Sequence, residues 1–73
     1  MSYRYKVILQ EEAEGGFSAF VPALPGCASQ GETSDEAMVN IREAIDLYLE
    51  GLKADNLPIP ADQIQLREVE AII

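Results

Sequence analysis

The sequence predicts a single α+β domain over residues 1–73, in β-β-β-α-β order, with one helix on a four-stranded mixed sheet. Three observations predict it. An alternating run opens the chain, a capped stretch at helical spacing fills its middle, and a second alternating run closes it. No repeat and no low-complexity linker divides them.

In the opening run, Tyr3, Tyr5, Val7 and Leu9 point one way and Arg4, Lys6, Ile8 and Gln10 the other. Aromatic and β-branched residues at period two predict a strand. The polar stretch Glu11 to Gly16, ending in two glycines, predicts a hairpin loop. A second strand follows, with Phe17, Ala19 and Val21 on one face and Ser18 and Phe20 on the other. Pro22 has no amide hydrogen and ends the pairing. Pro25-Gly26 is a turn dipeptide, in which proline presets φ and glycine accepts a positive one. A short third strand is expected near Cys27 to Glu32.

The helix start is marked by Thr33 with Glu36 three residues on, the spacing of a capping box. Asp35 and Glu36 also put negative charge at the positive end of the helix dipole. Ala37, Ile41, Ala44, Ile45, Tyr48 and Leu52 form an apolar stripe; Asn40, Glu43, Asp46, Glu50 and Lys53 lie opposite. Arg42 and Asp46, four apart, are spaced to pair. Asn56, Pro58 and Pro60 close the helix. The final run sets Val69, Ala71 and Ile73 against Glu68, Glu70 and Ile72, and predicts a last strand parallel to the first. Such a crossover is right-handed and needs about a dozen residues, which the helix supplies.

Size and charge bound the function. A chain this short buries only about 60% of its unfolded surface. A lone cysteine, Cys27, excludes an internal disulfide, and the absence of histidine argues against zinc. Oligomerisation, as a dimer or tetramer, is the remaining source of burial, with Ile8, Phe20 and Ile72 as its expected face. Thirteen acids against five bases give a net charge of −8. Direct nucleic-acid binding is thereby disfavoured, and encounter with a basic protein is favoured. No apolar run is long enough for a membrane span, and the N-terminus lacks a signal-peptide pattern, so a cytoplasmic location is expected.

No catalytic constellation is legible. Cys27 stands among Gly26, Ala28 and Ser29 with no base or cation near it in sequence. It reads as a buried thiol in a turn that Pro22, Pro25 and Gly26 shape, rather than as a nucleophile. A two-metal nuclease needs acids on its central strands, and the first strand has none. No metal site and no cofactor are expected. Glu11, Glu12 and Glu14 in the hairpin, with Glu43, Asp46 and Glu50 on the helix, are the candidate partner-binding residues.

Gly15, Gly16 and Phe17, then Val21, Pro22, Leu24, Pro25, Gly26 and Cys27, then Gly31, Glu32, Thr33, Glu36 and Ala37, and finally Asn40, Glu43 and Ala44 together resemble the N-terminal domain of HicB-type antitoxins. Glu32 stands where that family more often has aspartate. The resemblance implies a partial RNase H-like fold and a protein that neutralises a small basic RNA-cleaving toxin of the HicA type. Many members also carry a C-terminal DNA-binding domain. This sequence ends at Ile73, so operator binding is not expected. Two other functions fit the same residues: an orphan oligomeric domain without a toxin, or a relic RNase H-type nuclease.

Overall fold

The computed structural model describes residues 2–73. Three strands, β1 (Ile8–Glu11), β2 (Phe17–Phe20) and β3 (Ala28–Gly31), precede one helix, α1 (Ser34–Ala54). They form an antiparallel meander in the order β1-β2-β3. In the β1–β2 hairpin Ile8 faces Phe20 and Glu11 faces Phe17; in the β2–β3 pair Phe20 faces Ala28 and Phe17 faces Gly31. Glycine is needed in the hairpin loop, where Gly15 and Gly16 have φ of 100° and 81°.

The helix lies over β3 and β2. Its start is a variant of the expected capping box: Thr33 Oγ1 accepts from the Glu36 amide at 3.1 Å, while the Glu36 carboxylate accepts at 2.8 Å from the amide of Glu32, one residue before the cap, in place of that of Thr33. Its end is a Schellman motif. Asn56 takes the left-handed conformation at φ 55°, its amide donates to the Lys53 carbonyl, and the Leu57 amide donates to that of Leu52.

Ala19, Val21, Leu24, Cys27, Ala37 and Ile41 form the buried core, with Tyr5, Val7, Phe17, Ala44, Ile45, Tyr48 and Leu49 packed against it. Val21, Leu24 and Cys27 all belong to the β2–β3 connection. That segment folds as two linked turns: the Leu24 amide donates to the Val21 carbonyl and the Cys27 amide to the Leu24 carbonyl, both at 3.0 Å. The Val21 amide donates to the Cys27 carbonyl at 3.1 Å and closes the pair. Gly26 supplies the positive φ of 84°, and the Tyr48 hydroxyl donates to the Pro25 carbonyl at 2.9 Å. The double turn thereby drops Leu24 into the core.

The fourth strand of the expected mixed sheet does not form. Residues 57–73 contain no strand, and β1 begins at Ile8 rather than at Tyr3. The cause is a side chain that takes the place of a ladder. Asp62 accepts from the Lys6 amide at 2.7 Å through Oδ2 and from the Ile64 amide at 3.0 Å through Oδ1. Lys6 Nζ adds an ion pair to Asp62 at 3.3 Å, and the Tyr5 hydroxyl donates to the Pro60 carbonyl at 2.6 Å. The linker thus meets the first segment through side chains, and Pro58 and Pro60 bring no amide hydrogen to a ladder. Beyond it, Leu66, Val69, Ile72 and Ile73 stand 58, 92, 88 and 120% exposed.

Two helix details also differ from expectation. Arg42 and Asp46 form no ion pair; Lys6–Asp62 is the one found among the described residues. Asn40 does not point into solvent, because its side-chain amide donates to the Gln30 carbonyl of β3 at 2.7 Å. Among the described residues no helix is long and apolar enough to cross a membrane.

Candidate functional site

The expected partner-binding acids are all exposed: Glu11, Glu12 and Glu14 at the hairpin, Glu43, Asp46 and Glu50 on α1. The hairpin group is not isolated. Glu12 accepts from the Ser18 hydroxyl at 2.6 Å and shares an open cleft of about 560 Å³ with Glu32, Glu36 and Asn40. Gly16 and Gly31 form part of its wall. A Cβ on Gly31 would lie 2.5 Å from the Ala37 nitrogen, so only glycine lets the helix start approach β3 this closely. A Cβ on Gly16 would meet the Gly31 carbonyl at 3.1 Å.

Glu36, Asn40 and Glu43 follow one another at spacings of four and three, which puts them on one side of the helix. The cleft's acidic lining therefore runs on along α1 towards the exposed carboxylates beyond it. Glu12 and Glu36 accept bonds from neutral donors, so their negative charge is left to face a cation. Glu32 and Glu36 were missed as site residues by sequence reasoning, which absorbed Glu36 into the helix cap. The signal that could have found them is the β2–β3 register, which pairs Phe17 with Gly31 and so brings the β1–β2 loop with Glu12 towards the helix start.

Among the described residues no three acidic or thiol side chains are grouped to hold a metal ion. Cys27 is a free, buried thiol, and burial raises its pKa above the ordinary thiol value. Pro22 and Pro25 flank Leu24 in the double turn, so the motif residues serve the core and the cap. Of the expected oligomer face, Ile8 and Phe20 face each other across β1 and β2 with Ala28 next in line on β3. Ile72 lies elsewhere, in the exposed tail.

Comparison with known proteins adds what the geometry leaves open. Residues 5–71 match a family described as HicB-like antitoxin of bacterial toxin–antitoxin system. A UPF0150 protein of Synechocystis is 44% identical over 97% of this chain and 90% of its own length. A UPF0150 protein of Thermoplasma acidophilum is 46% identical over 93% of this chain and 99% of its own.

Proposed function

This chain belongs to the HicB-like antitoxin family, and from that premise we propose that it is a non-enzymatic module that binds and sequesters a small basic RNA-cleaving toxin of the HicA type in the cytoplasm. The family match over residues 5–71 carries the reading, since an antitoxin implies a toxin. The acidic surface supports it. Glu11, Glu12 and Glu14 at the hairpin, with Glu43, Asp46 and Glu50 on α1, attract a basic partner, and the fixed Glu36 carboxylate joins them at the cleft. Exposed charges of this kind act mainly on the rate of encounter, by steering. Nucleic acid is met by the toxin and not by this chain, whose net charge of −8 repels phosphate.

The test is association kinetics with a purified basic toxin of this class, in low and high salt. Reversing Glu43, Asp46 and Glu50 to lysine slows association about tenfold or more at low salt and flattens the salt dependence. The toxin's RNA cleavage stops at equimolar wild-type chain. On-rates unchanged by the reversals refute the electrostatic docking, and cleavage that persists refutes the antitoxin reading in favour of an orphan domain.

A further inference from the structure

We infer that the C-terminal tail, residues 65–73, is a strand donated to the open β1 edge of a second copy of this chain. Three observations meet in it. First, the tail has the side-chain alternation of a strand and no strand partner. Leu66, Val69, Ile72 and Ile73 are among the most exposed large apolar side chains of the molecule, from 58 to 120%. Second, the same chain carries a matching vacancy. β1 is one of the two outer strands of the meander, paired on one side only. The helix lies over β3 and β2, so Leu9, on the helix side of β1, remains 40% exposed. An unpaired edge beside exposed apolar surface is the arrangement that strand addition uses.

Third, length and charge favour a second copy as the occupant. The Cα radius of gyration is 14.2 Å, against about 11 Å for a compact chain of this length, and the long axis is 48 Å against 28 and 19 Å. Asp62 anchors the linker beside Lys6, close to where β1 begins. Nine extended residues beyond it reach about 30 Å, well past the four residues of their own β1. Arg4 is exposed and forms no ion pair among the described residues, and the tail brings Glu68 and Glu70. A two-fold axis makes the exchange reciprocal, so the β1 edge of each copy is covered by the tail of the other and the exchange closes at two. In the pair, Val69, Ala71 and Ile73 cover Leu9 on the helix side, and each sheet gains a fourth strand supplied in trans. This pairing does not rest on the antitoxin reading.

The test is a mixed sample of isotope-labelled and unlabelled full-length chain, with the mass in solution measured alongside. The expected result is a dimer with contacts between the Val69 methyls of one copy and Leu9 of the other. Val69→Asp raises the dimer dissociation constant about tenfold or more, while Ile8→Asp, on the opposite sheet face, leaves it within a few fold. A monomer overturns the proposal. So does a dimer whose Val69–Leu9 contacts are all within one copy, or one that Ile8→Asp disrupts and Val69→Asp does not.

Discussion

Gly31 has the closest backbone neighbours of any glycine in the chain. Its missing Cβ would lie 2.5 Å from the Ala37 nitrogen and 2.8 Å from the Glu36 carbonyl carbon. Backbone on both sides cannot rotate away, so Gly31→Ala must push the helix start off β3. The expected loss is about 1–3 kcal/mol or more, the usual range for overpacking. Gly51 is the contrast, with open space where its Cβ would stand. There Gly51→Ala gains about 0.5–1 kcal/mol from helix propensity. Urea unfolding of the two variants reads both signs. At Cys27, burial holds the thiol above its ordinary pKa, so less thiolate is present at neutral pH than in a free cysteine. Alkylation of the native protein is therefore slower than that of the unfolded chain, and equal rates would show that the thiol is not enclosed.

Among the elements, α1 depends on its cap. Thr33→Ala removes the acceptor of the Glu36 amide and costs about 1 kcal/mol. The tail segment depends instead on Asp62. Bonds from the Ile64 and Lys6 amides hold its carboxyl below the ordinary 3.8, with further help from the Lys6 side chain. A depressed folded value means that this contribution is present above the ordinary pKa and is lost as pH falls through the lower one. The Lys6 amide resonance should therefore stay in place well into acid and shift only below pH 3.8. In Asp62→Asn that titration disappears. The meander, hairpin and both helix ends were legible because each is signalled within a few residues, as by Thr33 with Glu36 or Asn56 before Pro58. The fourth strand was misread for a related reason. Alternation from Glu68 to Ile73 fixes where side chains point, but it does not name the edge that accepts the hydrogen bonds. The acidic cleft escaped because Glu12 and Glu32 meet only through the β2–β3 register.

At the scale of the whole molecule, the charge was readable from composition, and the long-range seam was not. Tyr5 and Pro60 are 55 residues apart, and one hydroxyl joins them. That hydroxyl is a donor only while protonated. Its pKa is raised by burial first and then by Tyr3 and Asp62. A raised folded value stabilises the fold below the ordinary tyrosine value of 10 and ceases to do so as pH climbs through the higher one. The join between the two chain ends is therefore bracketed: acid opens it through a carboxyl group, and alkali opens it through a phenol. Neither the β2–β3 double turn nor the helix cap bonds to Asp62 or Tyr5, so loss of this join alone frees the extremities and leaves the central meander in place.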